Sequence, residues 1–129
     1  MSKKKEQAGP RLKIQARLFL DDEIAFGPGK ADLLEAIAAT GSISAAGKQL
    51  GMSYRRAWLL VDAMNRCFQQ PLVETAKGGV QGGGALLSAY GEDVLKKYRQ
   101  LETETRVIAV QHIAQFQPLL RKKPLPPTH

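Results

Sequence analysis

From residue 41 to residue 68 the chain reads GSISAAGKQLGMSYRRAWLLVDAMNRCF, two short stretches of helical periodicity hinged at a glycine. Ala46 and Gly47 are small enough for two helix backbones to approach each other. Gly51 supplies the positive φ that a tight turn demands, and Ser53 is placed to cap the helix that follows. The spacing predicts one helix opening at a Ser42 cap, with Ile43, Ala46, Gly47 and Leu50 facing inward. It predicts another opening at Ser53, with Ala57, Leu60, Val61, Met64 and Phe68 inward. At about 100° per residue, the opposite side of this second member carries Arg55, Leu59, Asp62 and Arg66. Arg56 flanks that face on one side, and Tyr54, Trp58 and Asn65 lie toward the other. Two helices in this order, with arginines opening the second, form the pattern of a DNA-reading helix-turn-helix.

The flanking sequence fits the same architecture. Alternation in residues 14–20 (IQARLFL), followed by an acidic DDE turn, predicts a strand, with the brief IAF of residues 24–26 as its partner. GPG at residues 27–29 punctuates. Leu33, Leu34, Ile37 and Ala38 then repeat at helical spacing until Gly41 stops them, a helix of about a dozen residues. Beyond Pro71 come the apolar pair Leu72 and Val73 within LVET, a glycine-rich link, and a second apolar pair. Two short extended segments joined by a flexible hairpin directly behind a helix-turn-helix make a wing. A phosphate-cradling loop is the rival, but no GK[ST] is present and the glycines precede a strand rather than a helix. From Ser88, with Glu92 and Asp93 in the first turns, helical spacing continues through Val94, Tyr98, Leu101, Thr105, Ile108, His112 and Phe116. Leu95, Val107, Val110 and Ile113 lie off that stripe. A helix near 30 residues outruns a small core, so its exposed apolar positions call for a partner chain, and a homodimer is the simplest one.

Composition narrows the function. A chain of 129 residues with 43% apolar content builds one core, and a net charge of +7 with a pI near 9.8 suits a polyanionic partner. The lone Cys67 excludes an intramolecular disulfide or a thiolate cluster and reads as a buried packing residue. His112 and His129 have no metal-ligand spacing, and no cofactor is expected. There are no paired carboxylates at useful spacing and no Ser-His-Asp set, so an enzyme is not expected. No apolar run approaches the roughly 20 residues a membrane span needs, and MSKKKEQAGPRLK lacks the core of a signal peptide, which points to the cytoplasm. The expected organisation is a flexible basic tail over residues 1–12, a DNA-binding and dimerisation domain over 13–118, and a basic, proline-rich tail over 119–129.

The segments GPGKADLLEAIAATGSISAAGKQLGMSYRRAWLLVDAMN and PLVETAKGGVQGGGALLSAYGEDVL, taken together, closely resemble the amino-terminal DNA-binding domain of the ModE family of molybdenum-responsive transcription regulators. The resemblance covers roughly residues 12–101 and rests on the set of motifs rather than on any one. It implies a mainly α fold with a small β wing: a winged helix-turn-helix, related to the LysR type, with a long carboxy-terminal dimerisation helix. It implies a homodimer on double-stranded DNA carrying a palindromic operator, and control of molybdate uptake or molybdenum-enzyme genes. The expected DNA-contacting set is Ser53, Tyr54, Arg55 and Arg56 at the start of the recognition helix, Ser42 and Ser44 of the preceding helix, and Lys77, Gly78, Gly79, Gly82 and Gly83 of the wing. The sequence departs from two-part family members in ending after the long helix, with no oxyanion-binding segment. A short regulator without its own sensor, one working with a separate effector-sensing protein, and a piece of a longer chain all fit. A dimeric molybdate-binding or accessory protein with a purely structural helix-turn-helix is the alternative from another class.

Overall fold

A computed structural model of the chain describes residues 9–76 and 84–128. These fall into two compact units, one within residues 15–101 and the other of residues 9–14 with 102–128. The first holds β1 (Leu18–Leu20), β2 (Glu23–Phe26), α1 (Pro28–Thr40), α2 (Ile43–Gln49), α3 (Tyr54–Cys67), β3 (Val73–Ala76) and β4 (Gly84–Leu87). The long helix α4 (Ala89–Phe116) begins in it, and a 3-10 turn, Gln117–Leu119, follows that helix. This is the expected winged helix-turn-helix with a long final helix.

β1 and β2 form an antiparallel hairpin closed by Asp21 in the left-handed region, and Leu20 faces Glu23 across it. Strand pairing begins only at Leu18, so residues 14–17 are not the strand that their alternation suggested. The carbonyl oxygen of Ala16 there accepts a hydrogen bond from the Tyr98 hydroxyl at 2.7 Å, a tie from α4 that replaces a ladder bond. GPG, expected to punctuate before the first helix, instead opens it. Gly27 is extended at the N-cap and Pro28 occupies the first turn, where its missing N–H costs nothing. Gly41 ends α1 in the left-handed conformation, its N–H bonded to Ile37 O at 2.8 Å.

The core of this unit is Phe26, Leu33, Leu34, Ile37, Met64 and Leu72, all fully buried. Phe26 meets Tyr98 edge-on at 5.1 Å between ring centroids and Phe68 at 6.1 Å. α4 is further fastened to α1 by Arg99, whose Nη2 donates to Asp32 at 2.9 Å and Nε to Glu35 at 3.0 Å. The guanidinium holds the Glu35 carboxyl below its ordinary pKa. Several expected core positions lie elsewhere, among them Ala38, exposed in the last turn of α1. Leu50, the last residue of the inward spacing in α2, is exposed because it is the C-cap and no longer follows the helical turn. Cys67 is half-buried, its Sγ 3.9 Å from Glu23 Oε1.

In the second unit, the distal part of α4 leaves Val107, Ile108, Val110 and Phe116 exposed, while Ala109 is buried. Residues 1–8, part of the expected basic tail, lie outside the described residues.

Candidate nucleic-acid interface

The helix-turn-helix assembles as its small residues and caps dictate. Ser42 is extended, and its Oγ accepts the Ala45 N–H at 3.0 Å, starting α2. Gly51 adopts φ +73° between the helices, and Met52 N–H returns to Gly47 O at 2.9 Å, closing the turn. A Cβ added at Gly47 would lie 3.0 Å from Ala57 Cβ, so the glycine sets how closely α2 and α3 cross. Ser53 then caps α3, its Oγ accepting the Arg56 N–H at 3.0 Å. A single serine substitution here removes a cap contributing about 1 kcal/mol and frays the turn that carries the arginines.

Arg55 and Arg56 both project into solvent from that first capped turn. Tyr54 is 59% exposed and Trp58 38%, their rings packed edge to face at 6.2 Å. Ser42, Ser44, Tyr54 and Trp58 line one cleft of about 310 Å3 together with Thr75 and Ala76 of the wing, so the structure brings these residues to one side. Ser42 and Ser53 act first as caps. Each accepting hydroxyl still has its own hydrogen to donate outward. Lys77, Gly78, Gly79, Gly82 and Gly83 lie outside the described residues. Their flanks pair antiparallel, Val73 with Leu87 through Ala76 with Gly84, as a wing requires.

Arg66 lies on the outward side of α3 but is committed elsewhere. Its Nε donates to Asp62 at 2.8 Å, and its Nη1 to Glu23 Oε1 at 3.0 Å, with Nη2 against the other carboxylate oxygen. The guanidinium pulls the Glu23 carboxyl below its usual pKa, and the two acids raise that of Arg66. This clamp fixes the carboxy-terminal end of α3 to the β1–β2 hairpin.

Asn65 plays a part its place on the helix wheel concealed. Its Oδ1 accepts from Leu72 N at 2.8 Å and Val73 N at 3.2 Å, and its Nδ2 donates to Val73 O at 3.1 Å. The recognition helix and the first wing strand are thereby one piece. A lone Asn near the end of a helix, six residues before a proline, was the only available signal. Among the described residues no group of three or more His, Cys, Asp or Glu could hold a metal ion, and no helix is long and apolar enough to cross a membrane.

Residues 30–92 match the bacterial regulatory helix-turn-helix protein, lysR family. Over 91 residues the chain is 43% identical to the molybdenum transport protein ModE of Azotobacter vinelandii, which takes in 69% of this chain and 34% of that protein. It is 42% identical over 87 residues to the DNA-binding transcriptional dual regulator ModE of Escherichia coli strain K12, covering 67% of this chain and 31% of that one. It is also 46% identical over 76 residues to the molybdenum-pterin-binding protein MopB of Rhodobacter capsulatus, covering 59% and 28%. The chain spans about a third of the length of these curated relatives. Among solved structures, a chain from the crystal structure of the CbnR_DBD-DNA complex matches with a TM-score of 0.53 at 24% identity, covering 67% of this chain and 95% of that one, and shares the fold. The winged helix-turn-helix of this chain is therefore a LysR-type helix-turn-helix domain, 42–43% identical to the matched parts of the ModE proteins.

Proposed function

We propose that this chain is a sequence-specific DNA-binding transcription regulator of the ModE type, with no enzymatic activity of its own, acting in the cytoplasm as a homodimer on a palindromic operator. The observation that carries the reading is Arg55 and Arg56 standing free at the Ser53-capped start of α3, beside a wing held to that helix by Asn65. A capped helix start in the major groove brings guanidinium groups within reach of guanine O6 and N7 or of phosphates. A bidentate guanine contact contributes about 1–3 kcal/mol of discrimination. Tyr54, Ser53, Ser42 and Ser44 suit phosphate and sugar contacts, which position the protein, and Lys77 with the wing glycines suits the backbone toward the minor groove. The proposed functional domain is residues 13–118, with residues 1–12 and 119–129 as tails. The exposed apolar residues of distal α4 supply the dimer contact. The proposed targets are genes of molybdate transport or molybdenum enzymes, a reading that the molybdenum-related names of the relatives support, with a separate protein as the proposed effector sensor.

The test is duplex retardation across a salt series. Wild type should retard duplex DNA with an affinity that falls steeply as salt rises. Arg55→Ala and Arg56→Ala should each lose roughly 1–3 kcal/mol where the arginine reads a base, with unchanged circular dichroism. Salt-independent binding, or full affinity in the double variant, refutes the reading.

A further inference from the structure

Leu59 is 53% exposed on the outward side of α3, one turn beyond Arg55. The inward side of this helix is filled by Ala57, Val61 and Met64, so Leu59 is not part of the buried core. It shares a shallow open depression with Tyr54, Arg55, Trp58 and Asp62. The Tyr54 and Trp58 rings brace each other at 6.2 Å and form one apolar bank of it. Asp62 closes the far end, its carboxylate occupied by Arg66.

We propose that Leu59 reads the C5-methyl group of a thymine in the major groove, beside the guanine taken by Arg55. This rests on the DNA-binding reading above and adds a specificity-determining residue to it. Among the base edges of the major groove, the thymine methyl is the one apolar group, and leucine has neither donor nor acceptor to spend on any other. A protein partner would meet the guanidinium of Arg55 on the same ledge, whereas a duplex answers that charge with phosphates and guanine acceptors. Arg55 and Leu59 are four residues apart, about 6 Å along the helix axis, close to two base-pair steps of roughly 3.4 Å. The thymine then lies one or two base pairs from the guanine. Asp62, the next residue on this side, has its carboxylate taken by Arg66, so Leu59 is the last apolar side chain this face offers before the clamp.

The experiment selects duplexes from a random pool with the full chain, then resynthesises the best one with deoxyuridine replacing every thymidine. Wild type should lose roughly fourfold in affinity for each methyl contacted. Leu59→Ala should bind both duplexes equally, near the level of wild type on the uracil duplex, with the same salt dependence. Leu59→Met, which keeps an apolar reach, should retain the preference for thymine. Equal binding of both duplexes by wild type overturns the assignment of Leu59 while leaving DNA binding intact. An equal loss in wild type and Leu59→Ala also overturns it, because the methyls then act through duplex shape. Dissociation of a dimer by Leu59→Ala assigns the ledge to a second copy of the chain and overturns it as well. If no duplex is enriched, the DNA-binding reading and this one fall together.

Discussion

A single methyl group at Gly91 tests how tightly α4 is seated on the base of the wing. Gly91 is buried in the first turn of that helix, and an added Cβ would stand 3.0 Å from the carbonyl carbon of Leu72 and 3.1 Å from its Cα, with the carbonyl oxygen closer still. Leu72 has nowhere to retreat. Its oxygen accepts the Ser88 N–H at 2.9 Å, its own N–H is held by Asn65 at 2.8 Å, and its side chain is fully buried. Overpacking of this kind costs typically 1–3 kcal/mol, and loosening the Ser88 bond adds about 1 kcal/mol, against about 1 kcal/mol returned by the better helix propensity of alanine. Gly91→Ala should therefore destabilise by about 1–3 kcal/mol and lower the thermal midpoint by roughly 5–15 °C, followed by circular dichroism. Gly29→Ala is the control, since a Cβ there meets nothing within 4 Å, and it should leave the midpoint unchanged or slightly raised. A Gly91→Ala midpoint within about 2 °C of wild type would refute the close approach.

Asn65→Ala should cost about 2–4 kcal/mol in urea unfolding, because it strands the backbone groups of the buried Leu72 and Val73, and a loss under about 1 kcal/mol would deny that link. Lys30 is only 8% exposed, and burial, with Arg56 nearby, pushes its ammonium below the usual lysine pKa against the opposing pull of Cys67 and Glu23. A depressed lysine is a full burden below its folded pKa, and the burden is relieved as pH rises from that value to the unfolded one. Lys30→Met should thus stabilise by on the order of 1 kcal/mol at neutral pH, with the gain shrinking toward pH 10 in denaturant melts. Glu23 has its carboxyl pKa lowered by Arg66, so its contribution is present above the unfolded carboxylate pKa and disappears as pH falls through the folded one. The stability difference between wild type and Glu23→Gln should be constant near neutrality and vanish in acid; a difference that persists at low pH would contradict the clamp.

What could be read from the sequence was what local chemistry decides. Ser42, Ser53, Gly41 and Gly51 do the capping and turning their residue types suggested, because a cap involves atoms only three or four residues away. Arg55 and Arg56 are exposed as the helix wheel placed them, and the wing strands pair where the apolar pairs stood. The misjudged positions depend on partners remote in sequence. The alternation of residues 14–17 carried no information that Tyr98 would claim Ala16 O, 82 positions away. Glu23, on the hairpin, is the partner of both Arg66 and Cys67, and no spacing along α3 announces it. Gly91 lies against the backbone of Leu72, a contact that no local pattern around either residue marks.

Gly41 does more than end α1. With φ at +73° its carbonyl turns outward and accepts the Ala85 N–H at 2.9 Å, so the returning strand of the wing hangs from the peptide that precedes α2. That suspension is made of main-chain atoms alone. Replacing outward-facing side chains of the hairpin such as Glu74 and Leu86 therefore leaves this tie between β4 and the start of α2 intact, whereas the inward-facing Val73, Ala85 and Leu87 remain bound to the core.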